Sequence, residues 1–461
     1  MTRHVPVLVV GGGISGLVCA YGLQKAGVEI LVVESAARPG GVIQSISHDG
    51  FLLELGPQSF SCTAQLRELC ADLGIADQLL EAPARAPRYI LIDGKLQAVP
   101  MNPAALFLSP LIDGSTRWAL LRDIFGKSVP PESEESIAAF MRRKFSERLL
   151  DRFVGPFVSG VYAGDPEKLS LRSAFPPLFE AEKTSGSIVR GMVRLARKKK
   201  GPRERRTLNT FRDGNETLVR ALANKLGSAL HCGIALTSLQ HEGAGSSPHG
   251  SRFVADLKSD AGLETIVADW VIFAIPTNVA AEVLKKIAPE TASALEQVEY
   301  APVAVVSTGY RKSDVSDTLD GFGFLVPRSA GLRVLGTVWN SSLFPSRAPD
   351  GEALLTTFVG GATDPSAAAL GADELVSLVH REITPLLSIK NDPVFSNVTI
   401  WPRALPQYNL GHGKRLDKLG RLPWLPLNVS LVGNYLNGPA IGACTERALA
   451  VAAEVAKEFG R

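Results

Sequence analysis

The chain has 461 residues, 45% hydrophobic and 21% charged, with a formal net charge of +3. That length supports two or three domains with ample core, and so small a charge gives no indication of a nucleic-acid partner. The five cysteines (Cys19, Cys62, Cys70, Cys232, Cys444) form no C-x-x-C pair and the seven histidines show no ligand spacing, so neither a disulfide framework nor a metal site is expected. The cysteines read as small buried hydrophobes in a reducing cytoplasm.

Residues 5–10 are a short apolar run, the pattern of a buried parallel strand. Gly11-Gly12-Gly13-Ile14-Ser15-Gly16 follows and fits G-x-G-x-x-G at Gly11, Gly13 and Gly16. A helical pattern at 17–25 stops at Gly27, and a second strand at 29–33 ends on Glu34. Gly11 permits the tight turn, Gly13 lets backbone approach a pyrophosphate, and Gly16 lets helix pack on strand. The helix start at Ile14 and Ser15 offers free N–H groups to phosphate. Glu34 is placed to accept from a ribose diol. Strand, glycines, helix, strand and acid in this order point to a bound adenine dinucleotide. The extension Glu34-Ser35-x-x-Arg38-x-Gly40-Gly41 resembles that of amine-oxidase-type flavoproteins, and this resemblance implies FAD rather than NAD. Residues 5–24 carry no charge and could match a membrane span in length. The glycine cluster argues against one, and no cationic leader or cleavage site suggests a signal peptide.

Residues 45–55 read as a hairpin turning at Asp49-Gly50. They lead into Gly56-Pro57, which is either a plain turn or, by resemblance to the same flavoproteins, a segment passing beneath a flavin ring. Residues 63–80 read as a helix with Leu66, Leu69, Leu73 and Leu79 in a stripe. Residues 87–100 read as a second hairpin turning at Asp93-Gly94, with Arg88 sharing a face with Ile90 and Ile92. The residues alone leave Arg88 as a snorkelling side chain or an anion ligand. Helical patterns recur at 118–125, 134–145 and 147–154, and residues 155–166 read as a compact glycine-rich loop with the character of a site. Residues 190–206 hold nine basic residues and one acidic one. They read as a solvated loop or, with Met192, Val193 and Leu195, as a surface drawn to anionic lipid.

From residue 211 the α/β character returns, with a helix at 215–226, strands at 230–239, 253–257, 265–267 and 268–276, and a loop tip at 243–250. Strands at 302–310, 323–327, 333–339 and 353–359 suit a sheet with an apolar face. Residues 373–386 read as a helix and 401–412 as a turn-rich segment. A strand at 429–433 and a helix at 443–459 offer a second helix N-terminus to a cofactor.

The segments PRYILIDGKLQAVP, PFVSGVYAGDPEKLS, DGFGFLVP, LGTVW, FPSRAP, TTFVGG and WPRALPQYNLGH, with the flavin motif, resemble the oxygen-dependent protoporphyrinogen oxidase family nearly end to end. The resemblance implies an α/β fold with a discontinuous Rossmann-like FAD-binding domain (1–86, 206–276 and 427–461). It also implies a substrate domain on a mainly antiparallel sheet (87–100 and 277–426) and a helical, membrane-associated domain (101–205). It implies noncovalent FAD, and oxidation of protoporphyrinogen IX to protoporphyrin IX in haem biosynthesis. Hydride would pass from a meso carbon to flavin N5, oxygen being the acceptor and peroxide the by-product.

On the same basis Arg88 pairs with a substrate propionate, Leu325, Val338 and Phe358 hold the macrocycle, and Gly164 lines its cavity. Cofactor contacts fall on Gly11, Gly13, Ile14, Ser15, Gly16, Glu34, Ser35, Arg38, Gly40, Gly41, Gly56, Pro57, Leu236, Trp401, Gly433, Asn434, Ile441 and Gly442. Candidate partners are a cytoplasmic membrane surface, a second copy of the chain and a ferrochelatase receiving the product. The alternatives are a coproporphyrinogen III oxidase, whose four carboxylates would call on Arg328 and Arg333 as well, an amine oxidase, and a nonenzymatic flavin or porphyrin carrier.

Overall fold

Two seven-stranded sheets carry most of the chain in the computed structural model, which describes residues 3–100, 102–109, 111–198, 207–244, 251–420 and 428–460. In the first, Arg3–Val10 pairs in parallel with Ile30–Glu34 on one side and Gly262–Phe273 on the other. Leu230–Cys232 and Val429–Leu431 extend the parallel part, and Ser251–Ser259 with Ala235–Ala244 add an antiparallel hairpin. Val7–Val10 is buried on both faces, as a central parallel strand requires. Helices Ile14–Lys25 and Ile441–Glu458 seal one face, while Thr277–Leu284 and Pro289–Glu296 seal the other.

The second sheet runs in the order Phe395–Pro406, Tyr300–Arg311, Glu352–Gly360, Val334–Trp339, Gly323–Leu325, Arg88–Ile92, Lys95–Ala98. Every pairing is antiparallel except that of Gly323–Leu325 with Arg88–Ile92. Helix Ala372–Leu387 covers one face through Leu375, Leu378, Val379 and Ile383, against Val306, Phe324, Trp339 and Leu355.

Between hairpin Arg88–Ala98 and strand Leu208–Phe211 the chain is helical, including Gly114–Phe125, Ile137–Lys144, Gly155–Tyr162, Pro176–Ser185 and Ile188–Lys198. Phe140, Met141, Val158 and Leu171 form its core. Beside them Lys144 meets Asp123 at 2.7 Å, and Arg143 meets Glu182 at 2.9 Å. The expected α/β architecture is thus present. Among the described residues no helix is long and apolar enough to cross a membrane. The uncharged stretch 5–24 is a strand followed by a helix.

Several local expectations change. The helix expected over 63–80 ends at Asp72, because Gly74 turns the chain with φ +74°, and Leu79–Glu81 is a strand. The loop expected at 155–166 is largely helix Gly155–Tyr162, which runs on without a break from the π-helical turn Leu150–Val154 that precedes Pro156. The strand expected at 230–239 breaks at Gly233 (φ +72°) into two, which join different neighbours. The separate strands at 265–267 and 268–276 are one, Gly262–Phe273. Residues 401–406 are not turns but the second half of Phe395–Pro406, and His412–Gly420 is a helix. The basic stretch 190–206 is helical through Lys198, and residues 199–206, like 245–250 of the expected loop tip, lie outside the described residues.

Candidate active site

The glycine turn after Arg3–Val10 is held by close packing. A Cβ at Gly11 would stand 2.5 Å from the Ala274 carbonyl, and one at Gly16 would stand 1.9 Å from the Gly11 carbonyl. Gly13 differs: a Cβ there would meet nothing within 4 Å. The protein itself does not require glycine at that point, so the open approach is there for something else. Gly13 is also the N-cap of Ile14–Lys25, with no side chain capping the helix and no acid in its first turn. The free N–H groups of Ile14, Ser15 and Gly16 therefore face the opening with the positive end of the helix dipole. Helix Ile441–Glu458 packs against Ile14–Lys25 and begins at an equally uncapped N-terminus. Gly442 is pressed against Thr63, where a Cβ would come within 2.8 Å of Cγ2.

Glu34 closes the other side. Its Oε2 accepts from Gly12 N at 2.6 Å and its Oε1 from Ala36 N at 2.8 Å, which fixes the carboxylate and leaves lone pairs on both oxygens. Ser35 Oγ donates to the same group at 3.3 Å. Leu236 follows Ile234, whose N–H donates to the Glu34 carbonyl, so its backbone lies past the end of the same strand. Arg38 is engaged by its own loop, donating to the carbonyls of Pro39 and Gly41 and to Gln44. That loop docks on the turn through Gly40 N to the Gly12 carbonyl at 2.7 Å, with Gly41 packed beside Gly13. This donor set fits a dinucleotide diphosphate and ribose.

The strap Gly56-Pro57 joins this region to the second sheet. Gly56 lies against Val42, and Trp401 Nε1 donates to the Leu55 carbonyl at 2.6 Å. Gly433 turns with φ +156° beside Tyr435, and the Asn434 carbonyl accepts from Tyr408.

On the second sheet, cross-strand partners point to the same side. Arg88 pairs with Gly323, Gly323 with Val338 and Val338 with Thr356. One row on, Ile90, Leu325, Gly336 and Phe358 pair in turn. Residues two apart on a strand share a face, so Arg88, Leu325, Val338 and Phe358 lie together on the side opposite helix Ala372–Leu387. Leu325 and Val338 are the half-buried positions of otherwise buried strands, as is Phe358 beyond the first residue of its own. Arg88 is exposed, its guanidinium 5.4 Å from the centre of the Phe322 ring, and it has no ion pair among the described residues. Helix Gly155–Tyr162 touches the face where a Cβ at Gly160 would meet Leu325. Gly164 is not open to this face: a Cβ there would meet Leu169 at 2.5 Å and Gln407 at 2.9 Å.

A model of the flavin-containing amine oxidoreductases matches residues 14–456. The chain belongs to that family. It is accordingly a flavin-dependent oxidoreductase, with FAD as its cofactor. The chain is 36% identical to the chloroplastic protoporphyrinogen oxidase of Oryza sativa subsp. japonica, over 97% of this chain and 87% of that protein. It is 28% identical to the coproporphyrinogen III oxidase of Bacillus subtilis (strain 168), over 97% of each. The cyclohexylamine oxidase of Brevibacterium oxydans IH-35A superposes with a TM-score of 0.71 at 17% identity, over 99% of this chain and all of that one. A provisionally named protoporphyrinogen oxidase of Exiguobacterium sp. 255-15 superposes with 0.80 at 22% identity over the whole of both chains.

Sequence reasoning missed the buried frame behind the strap. Glu54 and Arg347 meet at 3.0 Å, with side chains 3% and 2% exposed. Burial pushes the Glu54 carboxyl up to about 7, against the pull of the Arg347 charge and of hydrogen bonds from Ser45 and Asn215. Asn215 Nδ2 also donates to the Pro57 carbonyl, and Gln58 links Gly56 to Asn340. The only signal was an arginine inside the segment FPSRAP, whose neighbours are apolar or small.

Proposed function

We propose that this chain oxidises protoporphyrinogen IX to protoporphyrin IX in haem biosynthesis, with oxygen as final acceptor and peroxide as by-product. One observation carries the reading: three apolar side chains left half-open on otherwise buried strands, with a guanidinium on the same face that has no ion pair among the described residues. Such a face suits a flat apolar macrocycle that carries carboxylates at its rim. Leu325, Val338 and Phe358 would exclude water and hold the ring, each contact worth about 1–3 kcal/mol when well buried. Arg88 would clamp a propionate bidentately and so fix which meso carbon is presented.

Noncovalently bound FAD supplies the two-electron acceptor that these side chains lack. Gly13 and the helix starts at Ile14 and Ile441 would hold its diphosphate, Glu34 its ribose, and Gly56-Pro57 with Trp401 its ring. Identity of 36% to the rice protoporphyrinogen oxidase over nearly the whole chain supports the same reaction. The proposed division is an FAD-binding domain of residues 1–86, 206–276 and 427–461, a substrate domain of 87–100 and 277–426, and a helical domain of 101–205. It is supported by the separate stretches that feed each sheet. The helical domain is read as resting on a membrane surface, because Trp118, Leu121 and Phe125 stand exposed on helix Gly114–Phe125.

Coproporphyrinogen III is the second reading. Arg328 favours it, since it donates to the Gly360 carbonyl and has no ion pair among the described residues. Arg333 adds nothing, being bound to Asp364 at 2.8 Å. The deciding experiment supplies each porphyrinogen to the purified holoenzyme and follows porphyrin fluorescence. A higher kcat/KM with protoporphyrinogen IX is expected, and the reverse order would replace the first reading with the second.

A further inference from the structure

Five cations of the helical domain, Arg142, Arg143, Lys144, Arg148 and Arg152, meet carboxylates. Lys127, Lys183, Arg190 and Arg194 do not, among the described residues, and these four line one groove of about 590 Å³ with Ser128, Val129, Thr184 and Gly186. No acidic residue lines it. Asp123 and Glu182, on the elements that carry its walls, are buried and paired with Lys144 and Arg143.

The groove is also preformed. Arg190 donates to the carbonyls of Ile124, Gly126 and Ser185, which fixes its position while leaving its charge uncancelled by any acid. Ser128 N donates to the Gly186 carbonyl at 2.9 Å and ties the two walls together.

Apolar side chains border it. Val129, in the groove wall, is 85% exposed. Phe125 (82%) and Trp118 (66%) extend outward along the adjoining helix, in the spacing of one helical face. Met192 and Val193 stand exposed on the helix that carries Arg190 and Arg194. Cations seated beside a solvent-facing apolar stripe match a surface that is anionic at headgroup level and apolar beneath.

We propose that this groove binds the phosphate of an anionic phospholipid headgroup while Trp118, Phe125 and Val129 enter the acyl boundary. The proposal rests on the reading that the helical domain lies on a membrane, and adds to it that headgroup charge is recognised at a defined place. The test is co-sedimentation of the holoenzyme with vesicles of phosphatidylcholine alone and of phosphatidylcholine mixed with phosphatidylglycerol. Binding to the mixed vesicles only, weakened by salt, is expected.

The variant Lys127→Ala/Lys183→Ala/Arg194→Ala should lower that partition on the order of 100-fold, the loss expected for three cations leaving an anionic surface. It should keep its bound flavin and its activity in detergent. Trp118→Ser/Phe125→Ser should weaken vesicle binding while keeping the salt dependence of what remains. Equal binding to both vesicle types would leave membrane contact standing and overturn headgroup recognition. Binding to neither would overturn both. Undiminished binding by the triple variant would overturn the groove as the site. Calorimetric binding of inorganic phosphate or glycerol phosphate without any vesicle preference would make it a soluble-anion site, and tighter retention on single-stranded RNA than on mixed vesicles would overturn the lipid assignment. Should the triple variant fail to fold, salt-insensitive binding of the unmodified holoenzyme to the mixed vesicles would still defeat the proposal.

Discussion

Trp401 and Leu55 lie 346 positions apart, yet the indole Nε1 donates to the Leu55 carbonyl at 2.6 Å. That bond ties the edge strand of the second sheet to the strap Gly56-Pro57, and with Asn340–Gln58 and Arg347–Glu54 it fixes the two halves of the proposed site against each other. Trp401→Phe keeps the ring and removes the donor, leaving the carbonyl short of a partner. We expect FAD to dissociate about tenfold more readily, the equivalent of one lost hydrogen bond of about 1–1.5 kcal/mol. Flavin fluorescence on dilution measures this.

Arg88→Ala should raise KM by about 10–100-fold, as expected for a charge-assisted pair of about 1.5–3 kcal/mol. The fall in kcat should be smaller. The strand should survive, because the side chain is exposed and rests against the Phe322 ring. Steady-state kinetics with the porphyrinogen decide the point, and an unchanged KM would remove the clamp.

Gly13→Ala and Gly16→Ala should separate cofactor binding from folding. The first adds a methyl where the protein has nothing within 4 Å, at an ordinary φ of −69°. Its apoprotein should melt as the unmodified apoprotein does, while its affinity for FAD falls. The second drives a methyl to 1.9 Å from the Gly11 carbonyl, so the apoprotein itself should be destabilised. Thermal melts of apoprotein with and without added FAD distinguish the two.

Arg347→Met should destabilise the fold by about 3–5 kcal/mol, because it strands Glu54 in the interior. The double variant Glu54→Gln/Arg347→Met should recover most of that loss, since neither residue then carries a charge. Urea unfolding of the single and double variants tests the pair.

His412 sets an acid limit. It is fully buried, stacked on Tyr408 with ring centres 4.3 Å apart, and its Nε2 lies 3.0 Å from the Tyr435 carbonyl. Burial, helped by the Arg415 charge, pushes its pKa down from 6.5 to about 4. The unfolded chain therefore binds the proton first as pH falls. Stability is complete above pH 6.5 and is lost progressively down to about pH 4. Tyr435 adjoins Gly433 and Asn434, so flavin release should follow the same window. In His412→Gln that part of the pH dependence should vanish, as flavin fluorescence against pH would register.

Much of the local backbone around the candidate site could be read from the sequence because its rules are local. The turns at Asp49-Gly50 and Asp93-Gly94 place both residues at positive φ, as the hairpins require. The glycine spacing carries its own reasons in steric contact. Strand Phe395–Pro406 escaped notice because Pro402 and Pro406 argue against a central strand, yet it lies at the sheet edge, where a missing N–H is tolerated. The pair Glu54–Arg347 was invisible for another reason: its members are 293 positions apart, and nothing in either neighbourhood shows that both are buried. Gly164 was placed by likeness, and its packing against Leu169 and Gln407 depends on a fold that spacing does not encode.

The lone parallel pairing in the second sheet, between Arg88–Ile92 and Gly323–Leu325, has a consequence for biogenesis. The early hairpin can close by itself, but its docking edge is not synthesised until more than two hundred residues later. Arg88 therefore waits, unattached to its eventual neighbours, while the ribosome completes the strands that receive it. A truncated nascent chain could own every glycine of the nucleotide turn and still lack the proposed clamp.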